Sequence, residues 1–441
     1  MTNKTKIPIV SKDLLFPFII ITSLFALWGI ANDLTNPMVS AFKKVMPELS
    51  NIQASLVQFA FYFGYFFMAL PAALFIRKFS YKSGILLGLS LYAIGAFLFY
   101  PAAKYEEYNY FLVSLWVITC GLAFLETTAN PLVLALGDKR TATQRLNLAQ
   151  AFNPVGSLTG MIIAQVFVLG ALRSDDYTAE AYTALSSTEL ATVRENDLGV
   201  ISIPYLSLGV LVLIIMVVIF FTKIPKTPVE DKMSLSDSFS KLFQNKSYLM
   251  GVLAQAACVG SQIMCWTYIF QYVDNLNAST GWNLTATNYN VAAMILFLSG
   301  RWIGTALMKK VNPPKVLGIF GMGGAIASIG AIVLPGMMGL LSLVAISIFM
   351  SIMFPTIYGI ALKDMGDEAK IGSAGLVMAI VGGAFMPIIQ AAILDLGGDG
   401  FNDLNLLGYI PEVNMSFILP ALCLAFVGYY GFSSLKRMKV E

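Results

Sequence analysis

The 441-residue chain contains no histidine and only four cysteines, and Asp, Glu, Lys and Arg together make up just 12% of it. Without histidine there is no imidazole to ligate a metal, act as general base or relay protons near neutral pH. Cys120, Cys258, Cys265 and Cys423 each lie in an apolar stretch and match no C-x-x-C zinc or redox spacing. They are expected to be small buried apolar residues. Soluble globular chains average about 25% charged residues, so this one has far too little charge to cover a water-facing surface. Soluble enzymes, disordered proteins and nucleic-acid binders are excluded, and no cofactor or metal is expected. Hydrophobic residues fill the place of charge, at 57% of the chain, and lipid must be its solvent. The first apolar run, from about Leu14, is too long for a cleavable signal peptide and leads straight into further runs.

Crossing a bilayer takes roughly 20 helical residues. Apolar runs between polar breaks predict twelve spans, at about 14–42, 52–76, 83–100, 109–136, 146–171, 199–222, 247–273, 286–308, 315–334, 337–362, 372–396 and 413–434. Their length and continuity require helices rather than barrel strands. The polar 172–198 segment reads as a loop. Of the 28 Lys and Arg residues, 22 fall in the termini and loops of one side and 5 (Lys43, Lys44, Lys104, Arg173, Arg194) on the other, with Arg301 inside span 8. Positive charge stays cytoplasmic, which places both termini and the 223–246 loop there.

That loop divides the chain six plus six, into halves 1–222 and 247–441 about a cytoplasmic linker at 223–246. The exits of spans 2 and 8, RKFSYKSG (77–84) and MKKVNPPKVLG (308–318), echo one another: a basic pair, a tight turn, another Lys, then a Gly. An all-α membrane protein of two parallel six-helix repeats is the major facilitator architecture, a fold that binds cargo between its halves near mid-membrane.

Ionisable groups inside a span are costly and tend to face a cavity or partner. Of the 25 Asp and Glu residues, only Asp33 in span 1 and Glu126 in span 4 sit well inside spans, while Asp274 and Asp395 lie near span ends. Trp28, Asn32 and Asn36 share one helical face at fourfold spacing, Asp33 and Asn36 are three apart, and Pro37 is placed to break the helix. Glu126 and Asn130 are four apart in span 4; Asn147, Gln150 and Asn153 recur in threes in span 5. Spans 2 and 7 add Gln58, Tyr62, Tyr65, Gln262, Trp266 and Tyr268, and span 10 adds Tyr358. A single amide is as well explained as glue between helices. A stripe of amides beside a buried Glu points instead to a hydrated site for a neutral sugar, whose hydroxyls amides and carboxylates bind and whose C–H faces aromatics cover. Arg301 is expected to snorkel or to bind carbonyls at the cytoplasmic ends of the halves. The glycines at 321, 323, 324, 382 and 383 are expected to permit close helix contact rather than to cradle phosphate, which would need a preceding strand.

Six segments carry a family resemblance: QFAFYFGYFFMALPAALFIRKFSYKSGILLGL (58–89), GLAFLETTANPLVLALG (121–137), RLNLAQAFNPVGSL (145–158), CWTYIFQY (265–272), GRWIGT (300–305) and FPTIYG (354–359). Together they resemble the fucose permease family, the fucose–galactose–hexose:proton symporters of the major facilitator superfamily, across essentially the whole chain. The resemblance implies a multi-pass protein of the bacterial inner membrane, working as a monomer on a sugar and protons. It further implies that Glu126 serves proton binding and sugar recognition, and that Gln150 and Asn153 match the family's span 5 amides. The family's span 1 aspartate falls on Asn36, and Asp33 lies one turn earlier, where the family has an amide. Either Asp33 has taken over the role from the same face, or coupling and sugar choice differ. The superfamily's acid at the span 2 exit is replaced by Ile76.

With no histidine, carboxylates must carry any coupled proton, and Glu126 and Asp33 are the candidates. The rival readings are a proton-independent sugar uniporter, a symporter of another solute, and an intramembrane enzyme. The last would need clustered acids near a span end, and none are present. A flux-free sugar sensor would need an attached signalling domain.

Overall fold

The computed structural model describes residues 8–35, 38–49, 51–177, 181–182, 184–224, 235–366, 368–394, 405–406, 408 and 410–440. Twelve helical spans are long and apolar enough to cross a bilayer: α1 (Lys12–Thr35), α2 (Phe59–Lys78), α3 (Tyr81–Lys104), α4 (Tyr108–Ala135), α5 (Lys139–Ala171), α6 (Ser187–Phe221), α7 (Lys246–Thr280), α8 (Ala286–Leu307), α9 (Pro313–Val333), α10 (Gly336–Ala361), α11 (Glu368–Leu394) and α12 (Glu412–Arg437). Large apolar side chains such as Phe16, Phe67, Ile203, Ile326 and Ile388 are exposed along these helices, as lipid-facing surfaces require.

Within the first predicted span, helix is described from Lys12 to Thr35 and again over Met38–Val45. One expectation is corrected. The 172–198 segment is not all loop, because α6 begins at Ser187. There Ser186 and Glu189 form a reciprocal capping box, and the Asp197 carboxylate accepts the backbone N–H groups of Arg173 and Ser174, both at 2.9 Å. Hydropathy misses these turns because they are polar and held by capping rather than burial. Finally, a two-residue strand pair joins Asn405–Leu406 to Ile410–Pro411.

The chain divides into two compact units, one of Lys12–Leu136 with Phe152–Glu230, the other of Met1–Ser11, Gly137–Ala151 and Asp231–Glu441. In the first unit α4 packs on α2 and α3, and α1 packs on the part of α5 that follows Asn153. The α1–α5 crossing is backbone against backbone: a Cβ at Gly156 would overlap the Ala26 carbonyl, and one at Gly29 that of Asn153. Close approach of this kind is how helices associate in lipid, where apolar side chains gain little by leaving the acyl chains. The Tyr92 hydroxyl donates to Leu27 O at 3.1 Å, and Lys82 Nζ to Phe220 O at 2.7 Å and Thr222 O at 2.9 Å.

In the second unit α9 packs on α12, α7 on α11 and α8 on α10. Gly321, Gly323, Gly324 and Gly382 do lie at helix contacts, as expected. The same unit contains the first part of α5. Leading into it, Asp138 caps the turn Lys139–Thr141 and accepts from the Arg140 backbone N–H at 2.8 Å and from its guanidinium at 2.7 Å. Hydrogen bonding to Arg140 holds the Asp138 carboxyl down at about 2, so it stays ionised across the physiological range. Arg145, fully buried, donates to Ile9 O at 3.1 Å and to Thr141 Oγ1 at 3.2 Å.

Candidate functional site

In the first unit, both intramembrane acids meet tyrosines of one helix. Tyr62 and Tyr65 are three apart on α2, and so lie on the same face. Tyr62 stands close enough to Asp33 of α1 to feel its charge, and Tyr65 stands likewise beside Glu126 of α4. Glu126 is only 5% exposed, and its Oε2 meets no hydrogen-bond donor. An acceptor left in that state in a folded protein calls for an explanation, such as a bound proton or ligand. Asn130, one turn along, is fully buried, while Asn32 and Asp33 are half-buried. Trp28 is buried against Phe25, with ring centroids 4.4 Å apart. Asn153 is half-buried and donates to Phe25 O at 3.3 Å. Asn36 lies outside the described residues, as does Asp395; Asp274 is exposed.

The amide stripe of span 5 is not a single stripe. The helix breaks at Ala151–Phe152, leaving Ala142–Gln150 and Asn153–Ile163 as separate segments in different units. Pro154 is the cause: it cannot donate the N–H that would continue the ladder to Gln150 O. Before the break, Asn147 donates to Thr143 O at 2.9 Å and to Thr356 Oγ1 of α10 at 3.1 Å, and Gln144 donates to Thr305 O of α8 at 3.2 Å. Asn147 is therefore helix glue. Asn147→Ala is expected to cost about 0.5–1.5 kcal/mol of stability, the usual worth of an interhelical hydrogen bond in lipid, and to leave sugar affinity unchanged. Thermal unfolding and sugar titration of the purified variant check both halves of that statement.

Gln150 is buried at the break and meets Arg301 of α8. The remaining aromatic and amide candidates belong to the same unit. Tyr358 is fully buried beside Phe354. Gln262 approaches Cys258 Sγ at 3.7 Å. Trp266 donates to Ser347 Oγ at 3.2 Å and packs edge-on against Phe297. Tyr268 donates to Pro387 O at 2.8 Å, on α11. Cys120, Cys258 and Cys265 are buried and Cys423 partly so. No group of three or more Cys, Asp and Glu residues able to hold a metal ion occurs among the described residues.

The model of the Major Facilitator Superfamily matches residues 14–391. The chain belongs to this superfamily. Its relatives within it include the L-fucose-proton symporter of Haemophilus influenzae, 50% identical over 98% of this chain and 99% of that protein. The glucose/galactose transporter of Brucella abortus is 32% identical over 95% and 94%. Among solved structures, a variant of the E. coli fucose:proton symporter FucP superposes with a TM-score of 0.84 at 32% identity, covering 96% of this chain and 99% of that one. FucP in the outward conformation gives 0.85 at 33% identity, with the same coverage. Tyr65, named in span 2 from the sequence without a role of its own, is the neighbour of Glu126. Arg301, expected to snorkel or to bind carbonyls, is 2% exposed and bound to carbonyls.

Proposed function

We propose that the protein is a secondary active transporter that imports a neutral monosaccharide, of the fucose, galactose or glucose type, together with protons by alternating access. The observation that carries this reading is the Glu126 carboxyl, enclosed at mid-span beside Tyr65 with one oxygen unmet, in a chain that has no histidine to serve instead. A proton on Glu126 removes a charge that membrane depth penalises and turns an acceptor into an O–H donor for a sugar hydroxyl. Release of the proton on the low-concentration side restores the charge and weakens sugar binding, which couples the two fluxes. The names of the relatives support the same reading.

Asp33, which stands near Tyr62, is proposed as the second proton group. Asn32, Asn36, Asn130, Gln150, Asn153, Gln262 and Tyr358 are the polar groups proposed to recognise sugar, with Trp28, Tyr62, Trp266 and Tyr268 proposed as aromatic contacts. The 22 Lys and Arg residues gathered on one side support cytoplasmic termini, with halves 1–222 and 247–441 joined by the 223–246 loop in the cytoplasm of a bacterial cell. The working unit is proposed to be the monomer.

The test is sugar-induced proton flux in proteoliposomes. Adding L-fucose, D-galactose or D-glucose outside is expected to alkalinise a weakly buffered medium for the sugars that also raise the thermal stability of the purified protein. Sugar entry without alkalinisation would identify a uniporter and overturn the symport reading.

A further inference from the structure

Two spans break at prolines, and one side chain attends to both. In a continuous helix, each N–H reaches the carbonyl four residues earlier. Pro154 withholds that donor from Gln150 O, and Pro355 withholds it from Ser351 O. The chain breaks at both places, at Ala151–Phe152 in α5 and at Ser351–Ile352 in α10. Arg301 of α8 donates from Nη1 to Gln150 O at 2.9 Å and from Nε to Ser351 O. These are the same two carbonyls. Nη1 also lies 3.5 Å from the side-chain Oε1 of Gln150. The guanidinium is buried over the Phe297 ring, 4.8 Å from its centroid, and Gly300 and Gly304 let α8 lie against Ile348, Ser351 and Ile352.

We propose that Arg301 is a positioning residue for sugar binding: it stands in for the two backbone donors that Pro154 and Pro355 remove, and so fixes the Gln150 amide in the place from which it meets the sugar. The role rests on the reading of Gln150 as a sugar-binding residue. Arginine suits it better than lysine, because a planar fork presents separate donors in fixed directions to two carbonyls on different helices, whereas an ammonium on a flexible stem does not.

The experiment is a pair of mutant cycles on the purified full-length protein, read by L-fucose and D-galactose titration and by thermal unfolding. Arg301→Met is expected to weaken binding of whichever sugar is recognised by about tenfold or more, the scale of a hydrogen bond from a charged group, with Arg301→Lys intermediate. In the first cycle, Pro154→Ala returns an N–H to Gln150 O, so Arg301→Met is expected to cost less stability in that background than alone. In the second cycle, Arg301→Met is expected to add no further loss of affinity once Gln150→Ala is present. Equal costs of Arg301→Met with and without Pro154→Ala overturn the backbone role. An undiminished affinity loss in the Gln150→Ala background overturns positioning through Gln150. If Arg301→Met does not fold, Arg301→Lys runs both cycles. If Gln150→Ala binds sugar like the wild type, the functional half of the proposal falls with the reading beneath it. If neither sugar binds the wild type, the import reading fails for both, and the stability cycle still decides whether Arg301 serves the broken helices.

Discussion

Glu126→Gln is expected to abolish gradient-driven accumulation of sugar while sparing sugar exchange. In proteoliposomes acid outside by about one pH unit, one proton per sugar supports up to about tenfold accumulation, since a pH unit is worth about 1.4 kcal/mol. The glutamine keeps the shape of a protonated carboxyl and a donor for the sugar, but it cannot release a proton. Counterflow of labelled sugar should therefore continue, while the accumulation ratio falls to about one, because uncoupled flux only equalises concentrations. The burial of Glu126 strengthens the expectation, since an amide in that enclosure carries no charge to be stabilised. Accumulation equal to the wild type would remove Glu126 from coupling and leave Asp33 as the proton group.

Asp33→Asn is expected to remove sugar-induced alkalinisation to a similar degree, with Asp33→Glu retaining part of it. Asp33 and Glu126 each stand near a tyrosine of α2, Tyr62 and Tyr65 respectively. The decisive variant moves the acid by one turn. In an Asp33→Asn background, Asn36→Asp places a carboxyl where the fucose permease family carries its span 1 aspartate, and coupling is expected to return. Recovery would show that the site tolerates an acid at either turn. Full alkalinisation by Asp33→Asn alone would assign the proton to Glu126 and make Asp33 a binding group only.

The residues themselves show which parts of this were legible beforehand. The lipid environment and the twelve spans follow from composition and run length, because a bilayer imposes a length and a polarity on each segment independently of its neighbours. Asp33 and Glu126 were readable for the same reason: a charge at membrane depth is conspicuous one residue at a time. Spacing served less well wherever the helix was not continuous. Asn147, Gln150 and Asn153 fall in threes, yet Pro154 separates them, so Asn147 holds Thr356 while Asn153 caps a carbonyl of α1.

What satisfies the carbonyls that Pro154 and Pro355 expose was not legible in the chain. Arg301 stands 151 residues from Gln150 and 50 from Ser351. Local rules of propensity and periodicity carry no information over such separations. By itself the sequence determined the solvent, the number of crossings and the depth of each charge, since those are properties of single segments in lipid. Only the tertiary structure decided which tyrosine stands beside which acid, which amides are engaged in packing, and that the buried Arg301 serves two broken helices, because each of these is a property of pairs that meet only after the helices pack.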